Sequence, residues 1–256
     1  MITIHQGLTF FQHFLLSVDQ HSLHSPFLYQ YYSEAVKGTV SVPEFDEAEK
    51  HRGSFLANRN YINTTDFGTG NSSKRKIGDM AMRALASPGF CRFLYRTGNF
   101  LQANEILELG TCLGITTLYL ASIPQVRVTT IEGCPETAGL ADDLFQRSGK
   151  SNIRLVVDSI ENHLPRMAEA GHRFNLIFVD ANHRYQPTLS YYQLCKEMIR
   201  EDSIMIIHDI HTSREMDQAW KEIQKDPSAT QTLDFFDCGI VFFNPGLNRQ
   251  NIHLSF

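Results

Sequence analysis

The stretch Ile106-Leu107-Glu108-Leu109-Gly110-Thr111-Cys112-Leu113-Gly114-Ile115-Thr116-Thr117 decides the fold. An apolar, β-type run ends beside an acid, the chain turns on Gly110, and a helical pattern starts near Gly114. That succession opens a βα unit, whose turn brings backbone close to whatever lies over the carboxyl end of the sheet. The spacing is Glu-x-Gly-x-x-x-Gly, without the Gly-x-Gly-x-x-Gly turn that cradles a pyrophosphate. It puts a carboxylate where a pyrophosphate is repelled and a cationic ligand is favoured. A tight turn whose glycines serve packing alone is the competing reading.

Outward from this unit the pattern repeats. Strand-type runs at 105–109, 127–131, 153–157, 174–179 and 203–207 alternate with helical patterns at about 114–122, 136–148, 160–169, 186–200 and 213–225. Such alternation predicts a parallel sheet covered on both faces, and the uninterrupted Ile204-Met205-Ile206-Ile207 suits a strand buried on both sides. Two last β-type runs, Leu233-Asp234-Phe235-Phe236 and Ile240-Val241-Phe242-Phe243, are separated only by Asp237-Cys238-Gly239, which permits a hairpin but no parallel crossover. The expectation is a doubly wound, Rossmann-like α/β fold with a seven-stranded, mostly parallel sheet and an antiparallel last strand.

Residues 1–100 differ. They carry 10 basic and 8 acidic side chains, against 13 and 20 in residues 101–256. Helical patterns at 9–18, 26–36, 74–86 and 90–97, with a weaker one at 50–60, predict a helical N-terminal extension over 1–100 that leans on an α/β domain over 101–256. Thr65-Asp66-Phe67-Gly68-Thr69-Gly70-Asn71-Ser72-Ser73 reads as a flexible lid or as the start of a helix capped by Ser72 or Ser73. The basic residues that follow, Lys74, Arg75, Lys76, Arg83, Arg92 and Arg96, read as a solvated helix face.

With 256 residues, 42% hydrophobic and 20% charged, the chain can bury a substantial core and is not a disordered polymer. A mean hydropathy of -0.24 and the lack of any run near the ~18 apolar residues of a membrane span predict a soluble, cytoplasmic protein. Five cysteines without Cys-x-x-Cys spacing indicate neither a disulfide framework nor a structural zinc site. The net charge of -5 works against a non-specific grip on nucleic acid.

Two more acids close strands on the same rim. Glu132 lies 22 residues beyond Gly110, where α/β nucleotide folds present a carboxylate to ribose hydroxyls, and Asp158-Ser159 follows the third strand. A role in capping the next helix competes with ligand binding at Asp158. The fourth strand runs into Asp180-Ala181-Asn182-His183 and the fifth into His208-Asp209-Ile210-His211.

In order and spacing, Glu108-Leu109-Gly110-x-x-x-Gly114, Glu132, Asp158-Ser159 and Phe178-Val179-Asp180-Ala181 resemble the class I S-adenosylmethionine-dependent methyltransferases. Within that class the similarity is to small-molecule O-methyltransferases of the catechol and caffeoyl-CoA type and their sugar and antibiotic relatives. It covers roughly residues 100–245. The resemblance implies that Gly110, Thr111 and Gly114 line the methionine part of S-adenosylmethionine, with Glu108, Thr116 and Asp180 nearby. Glu132 would hold the ribose, and Asp158 and Ser159 the adenine. In metal-dependent members, acids matching Asp180 and Asp209 bind Mg²⁺ or another divalent cation. Here Ile210 stands where their second ligand after the fifth strand belongs.

His183, three residues after Asp180, stands where relatives carry a lysine or histidine base, which assigns His183 and Asp180 to catalysis. His211 is the competing base. No Asn-Pro-Pro-Tyr element for amines and no Pro-Cys pair for cytosine C5 is present, so a hydroxyl of a small-molecule acceptor fits best. A non-catalytic module that binds the cofactor or a partner is the alternative, and assembly as a homodimer is compatible with either.

Overall fold

The computed structural model describes residues 4–66 and 71–254. Helices α1 (Ile4–Leu16), α2 (Pro26–Tyr31) and α3 (Pro43–Ala57) come first, then a hairpin of β1 (Tyr61–Asp66) and β2 (Asn71–Lys76), then α4 (Ile77–Ala84) and α5 (Pro88–Phe100). The α/β part alternates β3 (Glu105–Leu109), α6 (Ile115–Leu120), β4 (Arg127–Glu132), α7 (Pro135–Arg147), β5 (Ile153–Val157), α8 (Ile160–Glu169), β6 (Phe174–Val179), α9 (Tyr185–Lys196), β7 (Ile199–His208) and α10 (Arg214–Lys225). It closes with β8 (Gln231–Asp234), β9 (Cys238–Phe242) and β10 (Gln250–His253).

The large sheet has the order β10-β8-β9-β7-β6-β3-β4-β5. All its pairings are parallel except those of β9, which runs antiparallel to both β7 and β8. The two-residue side-chain period divides the sheet between two cores. Ile106, Leu176 and Phe178 face one with residues of α2, α3, α5, α6 and α7. Leu107, Leu109, Ile177 and Val179 face the other with α8, α9 and α10. Leu28, Tyr31 and Phe45 are buried in the first core, so the N-terminal helices share a core with the sheet.

Helix starts follow side-chain chemistry. Proline supplies a fixed φ at the first turns of α2, α3, α5 and α7, and Ser25 and Ser87 accept from the backbone N–H groups of Leu28 and Phe90. Ser87-Pro88-Gly89 thus both ends the α4 region and starts α5.

Two features depart from the sequence reading. The sheet gains an eighth strand, β10, beyond the expected hairpin, because the chain after Phe243 returns to pair in parallel with β8. The extension is not wholly helical: residues 61–66 and 71–76 form a hairpin, so Ser73 caps no helix and Lys74–Lys76 lie in a strand, with Lys76 at the N-cap position of α4, rather than on a helix face. Residues 67–70, at the tip of the expected lid, lie outside the described residues. Asn63 fixes the hairpin to the start of α7, its backbone and side-chain N–H groups donating to Glu136 at 2.7 and 3.0 Å.

Candidate active site

The carboxyl ends of β3, β4, β5, β6 and β7 form one rim, where the acids singled out in the sequence gather. Gly110, at φ +98°, lies so near β6 that a Cβ there would stand 2.2 Å from the Asp180 carbonyl oxygen. Gly114, at φ +79°, starts α6 against α7, where a Cβ would meet the Phe145 ring at 2.7 Å. Packing therefore demands both glycines. Gly110 also lines the rim cleft with Glu132, Ser159 and Asp180, whereas Gly114 faces α7.

Glu108 is fully buried beneath that turn. Its Oε2 accepts hydroxyl hydrogen bonds from Thr117 at 2.5 Å and Thr130 at 2.7 Å, and Thr111 joins the group through Thr130 at 2.6 Å. Burial pushes the Glu108 carboxyl up to about 8, against the opposing pull of the two threonines. Its Oε1 is buried with no hydrogen-bond partner. Thr116 turns away from this group toward the Cys91 sulfur, 3.9 Å from its hydroxyl. Strand register held the signal for Thr130, which stands directly opposite Glu108 on β4. Thr117, one position past the threonine chosen from the sequence, had no signal there.

Glu132 ends β4 with both oxygens engaged, Oε2 by the Cys112 N–H and Oε1 by the Cys134 N–H, each at 2.9 Å. Burial keeps its carboxyl above the usual range even so. The rim cleft and a second hollow under the β1–β2 hairpin share Thr65, Cys112 and Glu132, so the hairpin crosses a groove centred on this acid. Asp158 and Ser159 act at the start of α8. The Ser159 hydroxyl accepts from the Asn162 N–H at 3.2 Å, and Asp158 accepts from the Ser159 N–H at 2.8 Å. Ser159 also faces the cleft, as do Tyr191 and Asn182. Tyr191 donates to Glu161, and the Asn182 side-chain amide lies 3.3 Å from the Tyr191 hydroxyl.

Asp180 and Asp209 meet at the ends of β6 and β7 with two histidines between them. His208 Nδ1 is 3.1 Å from Asp180 Oδ1 and 3.8 Å from Asp209 Oδ2. His183 Nε2 is 3.5 Å from Asp180 Oδ1 and 3.7 Å from Asp209 Oδ2. Burial alone would raise the Asp180 carboxyl, but the His208 hydrogen bond and the charges of His208 and His183 hold it below its ordinary value. Burial would likewise lower His208, but the hydrogen bond it donates to Asp180, with that acid's charge, carries it up to about 9. Asn182, His183 and Asp209 all have positive φ, at +61°, +24° and +58°, a cluster of backbone strain typical of built sites.

The competing base is excluded by its bonds. His211 is buried, with Nδ1 2.9 Å from Asp217 and Nε2 2.9 Å from Asp234, so neither nitrogen is free for an acceptor. Ile210 is fully buried, and the second carboxylate expected after β7 is absent. Asp180, His183 and Asp209 nevertheless offer three donor atoms within 4.8 Å of one another. Two carboxylates and one imidazole make a mixed oxygen and nitrogen donor set that a divalent cation can take.

Comparison with known proteins finds methyltransferases. Residues 107–210 match the family model described as a methyltransferase domain. The catechol O-methyltransferase of Mycobacterium tuberculosis is 31% identical over 122 residues, covering 46% of this chain and 54% of that protein. That of Niastella koreensis is 28% identical over 144 residues, covering 54% and 64%. The chain thus spans little more than half of the first curated relative and under two thirds of the second. The crystal structure of an SAH-bound methyltransferase from Podospora anserina superposes with a TM-score of 0.62 at 14% identity, over 86% of this chain and 97% of that one. The fold is therefore the one seen in solved methyltransferase structures, and residues 107–210 resemble a methyltransferase domain. Its sequence relatives are O-methyltransferases.

Proposed function

We propose that this chain binds S-adenosylmethionine along the rim groove and transfers its methyl group to a hydroxyl of a small-molecule acceptor. The observation that carries the reading is the convergence on one rim of the Gly110 turn, Glu132, Ser159 and the Asp180–His183–Asp209 cluster, each from the end of a successive strand or the loop after it. The fit to the cofactor rests on two features of the donor set. Glu132 has lone pairs left for ribose hydroxyls after two backbone bonds, and the buried Glu108 Oε1, beneath the Gly110 turn, has no partner within the protein.

Bound S-adenosylmethionine supplies an electrophilic methyl group on a sulfonium. The chain's own task is then alignment and removal of one proton. Glu132 holds the cofactor, with Ser159 and Asp158 at its far end. Glu108 acts from below, through Thr130 and Thr111, by fixing the turn. His183 Nε2 would take the proton of the acceptor hydroxyl, and Asp180 and Asp209 would stabilise the imidazolium that forms; the bound cofactor would supply the methyl group and leave as its thioether, S-adenosylhomocysteine. Where a divalent cation binds, Asp180 and Asp209 would hold it with His183, and it would acidify the acceptor hydroxyl. Residues 1–100 form the cap, with the β1–β2 hairpin as the part that crosses the cofactor groove.

All five cysteines are unpaired, in keeping with action in the cytoplasm. Among the described residues no helix is long and apolar enough to cross a membrane. The test of the base is His183→Ala, which should lower turnover about 10²- to 10⁴-fold with cofactor affinity nearly intact. Near-normal turnover, at a pH where chemistry limits the rate, would move the proton's removal to another group. A protein that binds the cofactor but turns over no hydroxyl acceptor would leave a binding module in place of an enzyme.

A further inference from the structure

Helix α1 is amphipathic in the opposite sense to an ordinary surface helix. The residues it turns to the protein are polar: Thr9 and His13 are buried, and Ser17, one turn further on, is half-buried. The apolar residues face outward. Leu8, Phe11 and Leu15 stand 62%, 59% and 65% exposed, at the i, i+3, i+7 spacing with which one helix packs on another, and Phe10, Phe14 and Leu16 flank them at 55 to 68%. Contacts on the inner side fix this orientation. His13 Nε2 donates to the Asp234 carbonyl at 3.0 Å, Val18 just after the helix bridges to Leu254, and the Phe10 and Phe236 rings meet edge to face with centroids 5.1 Å apart. Turning the apolar side inward would break these contacts.

The exposed area is that of an interface. At roughly 150–200 Å² for each bare side chain, the six present about 550–750 Å² of apolar surface on one copy. The largest apolar patch of an ordinary monomer is about 300–600 Å², and a specific interface takes about 800 Å² from each partner. Two such faces pressed together bury about 1,100–1,500 Å², above the ~1,000 Å² that a stable contact needs. Charge selects the occupant. Residues 4–16 contain no Asp, Glu, Lys or Arg, and the first lysine or arginine of the chain is Lys37. A helix that lies on a lipid surface carries basic side chains on its polar face, whereas two uncharged faces meet without like-charge repulsion. Beside the ridge of Leu8, Phe11 and Leu15 lies a cavity of about 1030 Å³, which Phe10 and Phe14 line together with the turn after β8.

We propose that α1 is the self-association surface of this protein and that a second copy of the chain covers it, α1 against α1 across a twofold axis, with the ridge of each copy beside the hollow of the other. The pairing stands whether or not the methyl-transfer reading does.

Sedimentation equilibrium of the full chain over a wide range of concentration tests it. The parent should follow a monomer–dimer equilibrium with a limiting mass twice the 29.2 kDa of one chain. The double variant Phe11→Glu, Leu15→Glu puts like charges at the centre of the contact and should weaken dimerisation at least about 100-fold. Both positions are exposed in the single copy, so the variant should keep the circular dichroism spectrum of the parent. Met82→Glu, at an exposed apolar side chain on α4 outside this face, should leave the dimer unchanged. A parent that stays monomeric, a dimer that the α1 variant leaves intact, or one that Met82→Glu disrupts equally would overturn the proposal. Flotation of the parent with vesicles of phosphatidylcholine and phosphatidylserine, abolished in the α1 variant, would overturn it as well and assign the face to a membrane surface.

Discussion

Gly110→Ala tests how closely the first turn and the candidate active site are coupled. At φ +98° any side chain strains the backbone, at a cost of about 1–3 kcal/mol. The new methyl would also sit 2.2 Å from the Asp180 carbonyl oxygen and 3.0 Å from its carbon. Backbone cannot yield there as a flexible side chain would, and overpacking adds about 1–3 kcal/mol. The total, about 2–6 kcal/mol, is a large share of the stability of a typical domain. Relief requires β6 to move off β3, which loosens the bond from the Asp180 N–H to the Leu109 carbonyl at 2.9 Å and displaces the Asp180 carboxylate from His208. Urea unfolding read by circular dichroism should show a lower midpoint at unchanged slope. Gly139→Ala is the control: it lies in α7 with nothing within 4 Å of its Cβ position, and should stabilise by about 0.5–1 kcal/mol. A Gly110→Ala protein within about 0.5 kcal/mol of the parent would refute the close approach of the two strands.

Glu108 predicts an unusual pH dependence. Its carboxyl is raised to about 8 from 4.5, so between those values the folded chain keeps a proton that the unfolded chain has lost, and stability falls as pH rises across that window. Glu108→Gln should remove this slope and gain on the parent by a few kcal/mol between pH 5 and pH 8, in chemical unfolding at several pH values; parallel curves would show that the acid is ionised throughout. Arg52 donates to the Ala86 carbonyl at 2.7 Å and to Glu49 at 2.9 Å while buried between α3 and α5, so Arg52→Ala should destabilise by about 2–4 kcal/mol in the same assay. Asp209→Asn should abolish any stimulation of turnover by a divalent cation while leaving cofactor affinity unchanged, and stimulation that survives would place the cation elsewhere.

The α/β part was legible because its signals are local. Runs such as 204–207 are apolar without interruption, and a strand buried on both faces reads that way at any distance from its partners. The rim acids followed, since strand ends place Glu132, Asp158, Asp180 and Asp209 on one side of the sheet whatever else the chain does. What failed depends on contacts made far along the chain. The basic run Lys74-Arg75-Lys76 has no strand pattern of its own, and it becomes β2 only by pairing with Tyr61, Ile62 and Asn63. Strand β10 is four residues long and exists by pairing with β8. The bond from Thr117 to Glu108 carries no sequence signal, because the helix phase at the short α6 cannot be fixed from sequence. His211 and His183 look alike in the sequence, each just past an aspartate that closes a strand, and only the partners Asp217 and Asp234 mark one as structural.

The central claim is that the rim groove holds S-adenosylmethionine through Glu132. Calorimetric titration of the purified chain with S-adenosylmethionine, repeated with Glu132→Ala and with NAD in place of the cofactor, tests it most directly. The account predicts a single saturable site in the parent and no binding of NAD. For Glu132→Ala it predicts a loss on the order of 1.5–3 kcal/mol per charged hydrogen bond, about 10- to 150-fold in affinity for each. Failure of the parent to bind S-adenosylmethionine, or unchanged affinity in a folded Glu132→Ala protein, would contradict it.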